Sequence, residues 1–274
     1  MTYKTILVHV RDDGPSAKAV EAAVGLARQF DAHVLGVGAE MYDISLMASA
    51  PYIDGTLIQE LRDQVETHLT VAQGRFRKLT LDLGSQAEWL STLDFPENAV
   101  NLYGRTADLV VAARPAGHVD MLRGVKPADL IMRVGLPVLL VPNTTAPLAA
   151  KQVVIGWKDT REARRAVSDA LPLLMRAEMV HVVAICGQGE VSVEREGLEQ
   201  LAQRLRRHGV AVSTHLVHRS LASVAEDLEH VADLHGADLL VLGAYGHTRV
   251  REWAFGGVTE DLLMTSSKYV LLSH

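Results

Sequence analysis

Two tandem α/β domains, each a doubly wound parallel sheet, are predicted by three observations. Short apolar runs such as residues 5–10, 107–112 and 237–242 alternate with helix-period segments along the whole chain. That is the pattern of βαβ crossovers feeding a parallel sheet covered on both faces. The chain also repeats itself: residues 5–13 match 152–160, Ala107-Asp108-Leu109 matches Ala237-Asp238-Leu239, and Asp129-Leu130-Ile131-Met132 matches Asp261-Leu262-Leu263-Met264. Finally, one apolar run leads into a glycine-punctuated loop, residues 243–259, and then into a helix start.

In the first half, a strand at 5–10 is followed by an amphipathic helix at 15–30 and a strand at 32–38. Residues 41–55 have no clear period and read as a loop. Leu57, Leu61, Val65, Leu69 and Ala72 recur at helical spacing, which predicts a helix over 56–83 with Gly84 as its stop. A strand at 88–93, a helix opened by Pro96 and running to about 105, a strand at 107–113, a helix at 125–134 and a strand at 137–141 complete the half. The second half repeats the order, with strands at 152–157, 179–186, 210–217, 238–242 and 268–273 and helices at 160–175, 190–208, 220–235 and 258–266. Residues 142–147, rich in Pro, Asn and Thr, mark the seam, so the domains are read as 1–143 and 150–274.

Composition narrows the function. An apolar fraction of 48% fits a globular protein, and a formal charge of −6 argues against general nucleic-acid binding. Cys186, without a second cysteine to pair with, suits a reducing compartment. The N-terminal apolar segment is too short for a secretion signal or a membrane span, so a soluble, cytoplasmic protein is expected.

The loop at 243–259 sits at the carboxyl end of a strand, where open α/β sheets hold ligands. Gly243 and Gly246 permit close backbone approach, and Gly256-Gly257 with Thr259 precede a helix, whose free N–H groups attract a phosphate. Two residues separate Gly243 from Gly246 and nine separate Gly246 from Gly256. This spacing resembles the ATP-binding members of the universal stress proteins, in their tandem two-domain form, and the resemblance covers essentially the whole chain.

The resemblance implies five-stranded sheets ordered 3-2-1-4-5, with the ligand crevice between the first and fourth strands. It further implies that Gly243, Gly246, His247, Thr248 and Arg249 line the ribose and phosphates. Gly256, Gly257, Val258 and Thr259 would bind phosphate through backbone N–H groups and a hydroxyl, and the adenine would rest near Trp157, Lys158 and Ile185. The sequence departs from the family at two places. The family's acid after the first strand falls on Lys158, with Asp159 one residue later, and its Ser or Thr directly after Gly256 is Gly257. In the first half Gly243 and Gly246 become Ala113 and Ala116, with Pro115 between them, so no such cradle is expected there. Arg114, His118, Arg123 and Lys126 leave that loop basic.

Neither metal nor catalytic signatures stand out. His215 and His218 are three apart on a strand, and His230 and His235 five apart on a helix, spacings that separate rather than converge ligands. The expectation is a stress-response regulator that binds ATP, with or without magnesium, or a related phosphate-bearing ligand in the second half. A slow ATP-hydrolysing or phosphate-transferring enzyme and a nucleotide-independent interaction scaffold are the alternatives. The resemblance implies antiparallel pairing of the two terminal strands within the chain, and two such chains are further expected to associate as a homodimer.

Overall fold

The computed structural model describes residues 2–42, 55–115, 122–143, 146–186, 191–219, 223–245, 262 and 266–274. The chain packs as two compact units, Tyr3–Val134 and Gly135–His274.

The first unit runs β1 (Thr5–His9), α1 (Gly14–Phe30), β2 (His33–Ala39), α2 (Gly55–Leu79), a 3₁₀ segment Leu81–Gln86, β3 (Ala87–Thr92), α3 (Pro96–Tyr103), β4 (Leu109–Ala113) and α4 (Pro127–Val134). Its strands are parallel in the order β3-β2-β1-β4, with Thr5 opposite His33, Ile6 opposite Leu109 and Val34 opposite Ala87. Helix α1 starts because the Asp13 side chain accepts from the Ser16 N–H, and it stops at Asp31, which takes the left-handed conformation. The predicted helix over 56–83 ends early. Its last turn tightens into the 3₁₀ segment, inside which Gly84 takes a φ of +54° that a side chain would resist.

The second unit holds β5 (Val138–Val141), β6 (Gln152–Gly156), α5 (Arg161–Leu174), β7 (Met179–Cys186), α6 (Val191–Arg207), β8 (Val212–His218), α7 (Val224–His235), β9 (Leu239–Gly243) and β10 (Tyr269–Ser273). The order is β5-β10-β9-β6-β7-β8, parallel throughout except that β5 runs antiparallel to β10, with Val270 opposite Leu140. From β8 to β10 this is the expected 3-2-1-4-5 arrangement, and the terminal strands β5 and β10 pair antiparallel as anticipated. The predicted helix at 258–266 lies largely outside the described residues.

Both cores are built from the central strands and the apolar helix faces packed on them. Ile6, Leu7 and Leu109 in one unit, and Ile155, Leu173, Leu174 and Leu205 in the other, are fully buried. Burial of each such side chain stabilises by about 1.5–3 kcal/mol. The repeated Ala-Asp-Leu has a physical basis in the sheet. Asp108 accepts from the backbone N–H of Lys4 (2.7 Å) and Thr5 (2.9 Å), tying the start of β4 to the start of β1. Asp238 does the same for Ala149 (2.6 Å) and Ala150 (3.1 Å) ahead of β6. No helix among the described residues is long and apolar enough to cross a membrane.

Candidate functional site

In the second unit β6 and β9 lie side by side, with β7 and β8 beyond β6 and β10 beyond β9. The chain therefore leaves the two strands in opposite directions, which makes their carboxyl ends a topological switch point, the place where open α/β sheets hold ligands. Three segments lie at these strand ends: Trp157-Lys158-Asp159 after β6, Gly243-Ala244-Tyr245 at the end of β9, and the first turn of α5. The turn is capped by Thr160, whose hydroxyl accepts from the Ala163 N–H at 3.2 Å. The β9 end and the α5 turn touch backbone to backbone. A β-carbon on Gly243 would lie 2.6 Å from the Glu162 carbonyl carbon and 2.8 Å from the Ala163 α-carbon.

Glu162 carries a carboxylate that the sequence does not single out. It is buried, with Oε1 accepting from Arg161 Nε at 3.0 Å and Oε2 without a hydrogen-bond partner among the described residues. Burial pushes its pKa up. Hydrogen bonds from its own backbone N–H, Arg161 and Thr160, with the Arg161 charge, outweigh that and hold it below the usual range. Tyr245, next in line on the β9 side, has a φ of +54°, unusual for an aromatic residue and a sign that the chain turns sharply there.

Of the residues expected to bind a nucleotide, Gly243, Trp157, Lys158, Asp159 and Ile185 are described. Gly246, His247, Thr248, Arg249, Gly256, Gly257, Val258 and Thr259 lie outside the described residues. Trp157 is buried, and its Nε1 would stand 3.4 Å from a β-carbon on Gly197, which turns the indole towards α6. Lys158 is exposed and forms no ion pair among the described residues. Asp159 is also exposed but accepts twice from Arg164, at 2.9 and 2.7 Å. Ile185 is half-buried near the end of β7.

Residues 149–274 match the family model described as the universal stress protein family. That half of the chain is a universal stress protein domain. The whole chain shares its fold with a universal stress protein from Archaeoglobus fulgidus DSM 4304, at 13% identity and a TM-score of 0.71, over 98% of this chain and 95% of that one. It also resembles a functionally unknown protein from Pseudomonas aeruginosa PAO1, at 17% identity and a TM-score of 0.57, over 99% and 92% of the respective chains. No curated protein matches the chain.

The first unit builds its corresponding strand ends differently from the universal stress protein domain. Arg123 donates to Asp12 Oδ1 at 2.6 Å and lies 3.0 Å from Glu40 Oε2, while His68 Nδ1 lies 2.8 Å from Glu40 Oε1. Asp12 follows β1 and Glu40 follows β2, so Arg123 bridges the carboxyl ends of both strands. Burial works against the charged guanidinium, yet Glu40 and Asp12 raise its pKa further. An arginine read from sequence as leaving this loop basic is thus matched by two carboxylates.

Away from the crevice, the universal stress protein domain brings His181, His215 and His235 together from β7, β8 and α7. Burial first, and then neighbouring His235 and His215, push the His181 pKa down to about 4, which keeps its ring neutral near pH 7. Nothing in linear spacing groups these three. They meet through strand register, which pairs His181 with Ser213 and so sets His215, two residues on, along the same face.

Proposed function

We propose that the universal stress protein domain binds ATP or a related phosphate-bearing nucleotide in the β6–β9 crevice, and that its occupancy is the signal read by a partner in a stress response. The observation that carries this reading is the backbone contact of Gly243 with the α5 turn at a switch point. It sets Gly243, the first glycine of the spaced motif, where a parallel sheet offers its strand ends and a capped helix its first turn. Lys158, exposed at the rim and without an ion pair among the described residues, supplies positive charge suited to a polyphosphate.

The chain's own residues divide the work. Trp157 and the β6–β9 ends form the floor, Thr160 closes the α5 turn, and the segment following Gly243 would hold phosphate through backbone N–H groups and Thr259. A magnesium ion, where one accompanies the nucleotide, would screen the phosphate charge. In the first unit the Arg123 network links the two strand ends, and we read residues 1–143 as a diverged copy that does not take ATP.

Equilibrium titration of the full chain with ATP and magnesium tests the reading. Saturable binding below millimolar concentration, weakened by Thr259→Ala, is expected. Absence of binding at millimolar ATP would reject it. Steady phosphate release that is lost in Thr259→Ala would instead favour the hydrolase, and an unliganded chain that still captures partners would favour the scaffold.

A further inference from the structure

The three histidines of the universal stress protein domain share one spot on the sheet face covered by α7. His181 Nδ1 and His215 Nε2 are 3.1 Å apart, and Ser213 Oγ lies 2.8 and 2.9 Å from the same two atoms. The His235 ring stacks on His181 with centroids 3.9 Å apart, and one ligand nitrogen from each of the three residues falls within 4.8 Å of the others. We propose that His181, His215 and His235 form a binding site for a divalent transition-metal ion of the zinc class, independent of the nucleotide crevice.

Four features support coordination over a hydrogen-bonded packing cluster. Imidazole nitrogens on zinc at 2.0–2.1 Å in a tetrahedron stand about 3.3 Å from one another, close to the 3.1 Å between His181 Nδ1 and His215 Nε2. His181 has its outer nitrogen occupied, because Nε2–H donates to Gln152 Oε1 at 3.1 Å. That fixes the tautomer and leaves the Nδ1 lone pair facing the cluster, the arrangement by which an outer partner orients a metal-bound histidine.

The third feature is where His235 sits. It is the last residue of α7, ahead of Gly236 in the left-handed conformation, so helix carbonyl ends lie beside the cluster and favour a cation. The fourth is access. His181 is buried and holds its geometry, while His215 and His235 are half-exposed, so an ion can exchange with solvent. Three neutral nitrogen donors select zinc, copper or nickel over magnesium or calcium, and they leave a fourth position for water near the Ser213 hydroxyl.

Full-length protein stripped with a chelator and dialysed would be titrated with zinc chloride against a chromophoric competitor. One zinc per chain is expected. His235→Ala and His215→Asn should each weaken binding by at least roughly tenfold, with Gln152→Leu showing a smaller loss in the same direction. His33→Ala, which removes an exposed histidine elsewhere, should bind as the parent does. Cobalt(II) in place of zinc should give the visible absorption of a four-coordinate site, absent in His235→Ala. Circular dichroism of each variant checks folding, and the cobalt spectrum of the unaltered chain reads the site without any substitution. Less than one zinc per chain, an octahedral cobalt spectrum, or folded variants that bind zinc as the parent does would each overturn the proposal.

Discussion

Asp238 holds the backbone N–H of Ala149 at 2.6 Å, as Asp108 holds that of Lys4 at 2.7 Å. In each unit a carboxylate ahead of the fourth strand thus satisfies donors ahead of the first. A carboxylate accepting from backbone N–H groups is worth more than a neutral hydrogen bond, and solvent exposure reduces the gain. Asp238→Ala and Asp108→Ala should each lower unfolding stability by about 1 kcal/mol, measured by urea denaturation. The Asn variants, which keep an acceptor, should lose about half of that. Equal stability in the Ala variants would show that the repeated motif carries no such role.

Gly243 is the one motif glycine among the described residues, and its surroundings decide a substitution. A methyl at this position meets helix backbone, not the end of a flexible side chain, so relief requires α5 to move away from β9. Gly243→Ala should cost about 2–3 kcal/mol of stability, the range of an overpacked core. It should also weaken ATP binding by shifting the crevice wall. Gly209→Ala, at an open turn with a φ of +77°, gives a contrast in which backbone strain acts without a clash. Its cost should be about 1 kcal/mol, with ATP binding unchanged.

Most of the fold was legible because the central strands are buried on both faces. Runs such as Leu239 to Leu242 must be apolar throughout, and such runs betray themselves without alternation. Helix ends were legible where a cap exists, as at Asp13 and Thr160. The end of α2 was not, because a 3₁₀ segment keeps the apolar period while changing the backbone. Of the site, the Gly243 spacing could be read along the chain, whereas Glu162 and the histidine cluster could not. Glu162 looks like any acid in a helix's first turn until β9 is laid against it, and His181, His215 and His235 come from three elements joined by register.

His9 gives the first unit a pH dependence. It is buried at the end of β1, and burial, followed by the charge of Arg11, pushes its pKa down to about 3 from an ordinary 6.5. The unfolded chain therefore takes up a proton below pH 6.5 that the folded chain refuses until near pH 3. Stability is complete above pH 6.5 and falls as pH drops through this window, by up to about 1.4 kcal/mol per pH unit from this residue. At pH 5 the loss from His9 should be about 2 kcal/mol relative to pH 7. His181 adds a change of the same sign, so the comparison is the difference in stability between parent and His9→Gln across pH 5–7. That difference should shrink as pH falls, and a pH-independent difference would mean that His9 titrates normally when folded.

Lys158 and Asp159 separate a charge available to phosphate from one already engaged. Asp159 stands one residue beyond the position where the family resemblance implies an acid, but it accepts two hydrogen bonds from Arg164. Both side chains of that pair are largely exposed, so the pair contributes little to stability, well under about 1 kcal/mol. Lys158 has no ion pair among the described residues. If the ligand's phosphates lie at the β6–β9 ends, Lys158→Glu places a like charge beside them and should weaken ATP roughly tenfold, or about 1.4 kcal/mol, at low ionic strength. The loss should narrow as salt is raised, because exposed charges are screened over about 8 Å at physiological ionic strength. Asp159→Asn should change affinity by no more than about twofold, since its carboxylate serves Arg164 and not the ligand. The reverse ranking, a large effect at Asp159 and none at Lys158, would mean that Arg164 releases Asp159 on binding and that this carboxylate takes the role of the family's acid.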